Sequence, residues 1–115
     1  MGDKSDILQG TLDLMVLKTL DAMGPMHGFG LARRIEQVSE AALQINQGTI
    51  YLCLIRLVQQ GWIEAEWGTS ENNRRARFYT LTRQGRAQLG EKASEWRRVA
   101  RAIALILGPE PSEAD

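Results

Sequence analysis

Between Gly61 and Leu81 the apolar residues stop recurring at helical spacing and begin to recur at every second position, and from Thr82 the helical spacing returns. A change of period inside a short chain leaves few options, because a helical stripe cannot serve as a strand face, nor the reverse. The stretch "WIEAEWG" alternates Ile63, Ala65 and Trp67 against Trp62, Glu64 and Glu66. The stretch "RARFYTL" alternates Arg77, Tyr79 and Leu81 against Ala76, Phe78 and Thr80. Between them "GTSENNRR" is polar and turn-forming, so the pair predicts a β-hairpin with an extended tip.

Three helices are predicted before the hairpin. "TLDLMVLKTLDAMGP" has Thr11 as its capping residue, Asp13 in the first turn and Gly24–Pro25 as its stop, with Leu12, Met15, Val16, Leu20 and Met23 facing the core. "HGFGLARRIEQVSE" follows, started by His27, with Leu31, Ile35 and Val38 as its apolar stripe. "NQGTIYLCLIRLVQQG" is capped by Asn46 and ended by Gly61. Its Ile50, Leu54, Leu57 and Val58 form the inner face, while Gly48, Thr49, Leu52, Ile55, Arg56 and Gln59 project outward.

After the hairpin, helical spacing runs from Thr82 to about Leu107. Leu89, Ala93, Trp96, Ala100, Ile103 and Leu107 are spaced four, three, four, three, four, a heptad seam. Helix one of the same chain can cover part of that stripe, and a second copy of the helix is the simplest cover for the rest. "GPEPSEAD" then breaks the helix into a polar tail expected to be disordered. The expected organisation is residues 1–81 as a winged helix-turn-helix unit, 82–107 as a dimerisation helix and 108–115 as the tail. The fold class is α+β, mostly α.

The 115 residues carry 14 basic and 14 acidic side chains, so overall charge offers a polyanion no attraction. Local charge does. Arg74, Arg75 and Arg77 stand together at the hairpin tip, and basic residues outnumber acidic ones from there to Arg101. A winged helix-turn-helix sends its third helix into the DNA major groove and lets the hairpin tip reach the flanking backbone. On this reading Arg56 meets a phosphate or guanine and the tip arginines and Asn73 meet phosphates, while the outward Leu52 and Ile55 either meet thymine methyls or alter or weaken operator binding. A protein-interaction module without DNA binding is the alternative, favoured by zero net charge and by the outward Leu52 and Ile55.

Other classes find little support. His27 is the lone histidine and Cys53 the lone cysteine, so an intrachain disulfide and a cysteine-based metal cluster are both excluded. No nucleophile–base pairing or phosphate-binding glycine loop is present, and no metal or cofactor is expected. Cys53 reads as a small core residue. With no membrane-length apolar run and no signal peptide, the expected location is the cytoplasm.

The segments "QGTLDLMVLKTL", "GPMHGFGLARRIE", "NQGTIYLCLIRLVQQGWIEAEWG" and "ENNRRARFYTLTRQG", in that order and spacing, resemble the PadR family of bacterial transcriptional regulators, in particular its short members with one C-terminal helix. The resemblance implies a homodimeric repressor on a pseudo-palindromic operator. Members often govern transporters or genes responding to phenolic compounds or drugs, with a small molecule releasing the DNA. It puts the DNA-reading turn on Gln47, Gly48, Thr49 and Tyr51, the wing tip on Asn73 to Arg77, and the "LT..G" helix start on Leu81, Thr82 and Gly85. Where the family commonly reads Ser-Leu-Tyr-Pro, this chain has Thr49, Ile50, Tyr51 and Leu52: the hydroxyl is kept and the proline's fixed backbone angle is lost. Trp96, in the seam, reads first as plain packing between helices and second as the contact for a small aromatic effector, with paired indoles as the clamp.

Overall fold

The computed structural model describes residues 2–111, with side chains from residue 10 onward. In chain order it contains α1 (Gly2–Met23), α2 (Gly28–Val38), α3 (Gln47–Gln59), β1 (Ile63–Thr69), β2 (Arg75–Leu81) and α4 (Arg83–Leu107). The two strands form one antiparallel hairpin, and the arrangement is a winged helix-turn-helix extended by a long helix. Of the expected tail, Ser112–Asp115 lie outside the described residues.

Four of the local signals work as expected. The Gly30 N–H donates to Nδ1 of His27 at 3.0 Å, capping α2, and the Thr49 N–H donates to Oδ1 of Asn46 at 2.8 Å, capping α3. Thr82 caps α4 by accepting from the Gly85 N–H at 3.0 Å. At the end of α3 the Gly61 N–H donates to the Val58 carbonyl and the Trp62 N–H to the Leu57 carbonyl, with Gly61 at φ 79°. These are the paired bonds of a Schellman stop, which a glycine in the left-handed region makes without strain.

Thr11 does not cap α1. The helix starts at Gly2, because residues 2–9 contain no proline to stop it and Gly10 costs a helix interior only about 1 kcal/mol. Met23 and Val38, expected in the core, are both exposed. Each ends its helix, where periodicity still assigns a face but no neighbouring element remains to cover it. Both instead line an open groove between α1, α2 and α4.

The core is built around α1, whose Val16 and Leu17 are fully buried together with Leu31 of α2, Ile50 and Leu57 of α3 and Ile63 of β1. Leu89 of α4 belongs to the same cluster, so the first turns of α4 pack on the helix-turn-helix unit. The joint there is tight. The Thr82 hydroxyl donates to the Gly61 carbonyl at 2.7 Å, and the Thr82 N–H donates to the Trp62 carbonyl at 3.0 Å. A Cβ on Gly85 would stand 1.9 Å from that same carbonyl oxygen, so only glycine lets α4 begin here. Farther along, Leu105, Ile106 and Leu107 are at least 75% exposed, and the molecule measures 54 × 30 × 30 Å because α4 runs on past the core.

Candidate nucleic-acid interface

The first half of α3 is open to solvent. Asn46 fixes the turn, Gln47, Gly48 and Thr49 are exposed, and Tyr51 and Leu52 are 54% and 64% exposed. Ile50, Cys53, Leu54 and Leu57 hold the opposite face in the core. The helix therefore presents two faces of different chemistry, one anchored and one available.

Arg56 departs from expectation. Rather than projecting outward, its guanidinium forms an ion pair with Asp13 of α1, whose carboxylate is buried and also accepts from the Cys53 Sγ–H at 3.2 Å. Burial, and then the charge and hydrogen bond of Asp13, push the Cys53 thiol far above its ordinary range, with Arg56 opposing. A thiol held neutral in this way is inert, and the Asp13 group ties α3 to α1.

The hairpin has two chemically distinct sides. Its register pairs Ile63 with Leu81, Ala65 with Tyr79, Trp67 with Arg77 and Thr69 with Arg75. These residues share one side by alternation. At the base that side is apolar and buried, and towards the tip it emerges as Trp67, Arg77 and Arg75. The reverse side carries Glu64 and Glu66, along with Phe78, whose ring meets His27 edge-on at 5.6 Å. Strand β2 is pinned to the α1–α2 connection by reciprocal bonds between Met26 and Tyr79, at 3.2 and 2.8 Å. At the tip the Asn73 N–H donates to the Ser70 carbonyl and the Ser70 N–H to the Arg74 carbonyl, with Asn73 at φ 59°. Asparagine tolerates that left-handed angle better than most residues, which suits it to this turn.

The arginines of α3, the wing and the start of α4 differ in their partners. Arg56 and Arg86 pair with Asp13 and Asp21. Among the described residues, Arg74, Arg75 and Arg77 have no carboxylate partner, and all three are exposed. Arg75 lies 4.5 Å above the centre of the Trp67 ring, and Arg77 lies 5.8 Å from Trp67 and 6.0 Å from Tyr79. The wing side and α3 also share a neighbourhood. Burial raises the Tyr79 phenol, the Arg77 charge opposes, and Tyr51 of α3 is near enough to add to the rise. Asp13, expected in a first helical turn, lies mid-helix because α1 starts at Gly2, and its spacing with Leu17 and Leu20 is the signal for its burial; Trp67 shares the alternating stripe of Ile63 and Ala65, but nothing local in the sequence marks it as a contact for arginines.

In the seam of α4, Leu89 is enclosed by its own chain, Ala93 and Ala100 are half-covered, and Trp96, Ile103 and Leu107 are exposed. Trp96 and Ala93 also edge the groove between α1, α2 and α4, about 480 Å³ in volume, whose apolar walls include Met15, Ile35 and Leu43. Among the described residues no three His, Cys, Asp or Glu side chains gather to hold a metal ion, and no helix is long and apolar enough to cross a membrane.

The model of the transcriptional regulator PadR-like family matches residues 16–91, from the core of α1 through the hairpin into α4. The chain belongs to the PadR-like family. Its relatives include an uncharacterised protein of Lysinibacillus sphaericus, 29% identical over 90% of this chain and 94% of that one. Among solved structures, a transcriptional regulator from Clostridium thermocellum is 26% identical with a TM-score of 0.76, covering 85% of this chain and 94% of the other. A PadR family transcription regulator from Clostridium difficile is 28% identical with a TM-score of 0.70, covering 84% and 97%. PadR-like proteins are transcriptional regulators and not enzymes, and this chain is a DNA-binding regulator of that family.

Proposed function

We propose that the chain works in the cytoplasm as a homodimeric repressor on a pseudo-palindromic operator. Gln47, Gly48, Thr49, Tyr51 and Leu52 enter the major groove, while Asn73, Arg74, Arg75 and Arg77 engage the flanking backbone. Arg56, held by Asp13, serves at the edge of the groove and fixes the tilt of α3. The observation carrying this reading is the coincidence of an exposed α3 start with three exposed arginines clustered at the wing, which have no carboxylate partner among the described residues, on a molecule with zero net charge. Paired α4 helices, meeting through Ala93, Trp96, Ala100, Ile103 and Leu107, set the two units one DNA turn apart, ~34–36 Å, or a multiple of it. A small aromatic effector seats against Trp96, a role supported by the apolar groove beside it.

Salt-dependent binding tests the DNA contacts. Arg74→Ala/Arg75→Ala should weaken binding to a labelled duplex of the chain's own upstream DNA and flatten the log–log salt slope by up to about 2, near 0.9 for each phosphate released. An unchanged slope overturns the assignment of the wing to the backbone.

A further inference from the structure

Trp67 is a large aromatic side chain on an exposed wing, 58% exposed and outside the buried core. Packing does not explain its presence, yet two guanidiniums lie within 6 Å of its ring centre. Its strand partner is Arg77, and Arg75 follows two residues before Arg77 on the same side of β2, so one indole serves both arginines along one edge of the ladder. Tyr79 continues the series inward, at 6.0 Å from Arg77. The reverse side of the hairpin holds Glu64 and Glu66, which would repel a phosphate.

We propose that Trp67 is a positioning residue for DNA binding, holding Arg75 and Arg77 on one side of the wing as a ready-made pair for the sugar–phosphate backbone. This rests on the reading that the wing meets DNA. A free arginine loses rotamer freedom when a contact fixes it. Stacking on an indole removes part of that freedom before DNA arrives. A guanidinium attracted to an aromatic face through its charge still has its N–H donors to offer, and these can meet phosphate oxygens. The same arrangement fixes which side of the wing docks: the Trp67 side, which continues from the core beside Tyr51, and not the side of Glu64 and Glu66.

A double-mutant cycle tests the idea, with a fluorescein-labelled mixed-sequence duplex at low salt and anisotropy as the readout. Trp67→Ala should weaken binding about fivefold while thermal unfolding stays where it was, and Trp67→Leu should behave like it, since both lack a π face. Trp67→Phe should recover most of the loss. Arg75→Ala/Arg77→Ala should weaken binding more, and adding Trp67→Ala to that double variant should change nothing further. If the triple variant is about fivefold weaker than the double, the indole acts without the arginines and the proposal falls. If Trp67→Ala and Trp67→Leu bind like the unaltered protein while Arg75→Ala/Arg77→Ala is impaired, the wing still meets DNA and the positioning role is wrong. If Arg75→Ala/Arg77→Ala binds normally, the wing reading fails and the positioning role falls with it.

Discussion

Replacing Gly85 by alanine pits two physical effects of opposite sign against each other. Gly85 lies in the first turns of α4, where helix propensity alone would favour alanine by about 1 kcal/mol. Against this, the new Cβ would stand 1.9 Å from the Trp62 carbonyl oxygen and 2.9 Å from Cδ1 of Leu81. Backbone cannot swing aside as a side chain does, so α4 must retreat by more than ~1 Å, an overpacking penalty of about 1–3 kcal/mol. The retreat also strains the Thr82 bonds to the carbonyls of Trp62 and Gly61, each worth about 1 kcal/mol. The clash should win, leaving Gly85→Ala about 2 kcal/mol less stable, with Tm roughly 8 °C lower. Gly90 supplies the control, since it lies in the same helix and a Cβ there meets nothing within 4 Å. Gly90→Ala should gain about 0.5–1 kcal/mol. Urea unfolding of both variants, followed by circular dichroism at matched protomer concentration, decides the matter. Should Gly85→Ala prove as stable as Gly90→Ala, the tight joint between α4 and the hairpin is refuted.

Two further outcomes follow from the same structure. The buried Cys53 thiol stays protonated in the folded chain well above the ~8.5 of a free thiol, so the stability it confers is complete below that pH and is lost as pH rises. Unfolding free energy should fall by about 1–2 kcal/mol between pH 8 and 10, a decline that Cys53→Ala flattens; Tyr79, raised in the same sense, acts only near the top of that window. Ile103→Glu places a charge on the exposed stripe of α4 and, in the proposed dimer, should weaken self-association by at least about 10-fold, because Ile103 is 47% exposed in one chain and roughly half of the ~1.5–3 kcal/mol of a fully buried isoleucine is lost from each of two copies. Sedimentation velocity reads this directly, and a variant that sediments like the unaltered protein removes Ile103 from the interface.

How much was readable in the residues depended on the range of the interactions. The caps at His27, Asn46 and Thr82 and the stop at Gly61 bond to residues within five positions, and each was legible. The switch of period at Trp62 located the hairpin because alternation is a local property as well. Thr11 misled for the opposite reason: a capping residue marks a helix start only where the preceding chain refuses to be helical, and residues 2–9 do not refuse. Met23 and Val38 show that a stripe gives direction but not the extent of whatever covers it. The pair of Asp13 with Arg56 spans 43 positions and can be seen only once α1 and α3 are packed. Trp67 and Arg77 lie between these extremes. Alternation put each on a recognisable stripe, but bringing them opposite each other required the register, which the turn at Ser70–Asn73 sets.

The seating of Thr82 and Gly85 against Gly61 and Trp62 leaves no slack between the hairpin and the start of α4. In a paired molecule the helix would act as a stiff lever, not a tether, and the angular phase between its two reading heads would be inherited from covalent length. One residue inserted beyond Leu89 would turn everything downstream by about 100° and advance it by ~1.5 Å. Such a molecule can be retuned to a different operator geometry only in discrete clicks, never by gradual loosening.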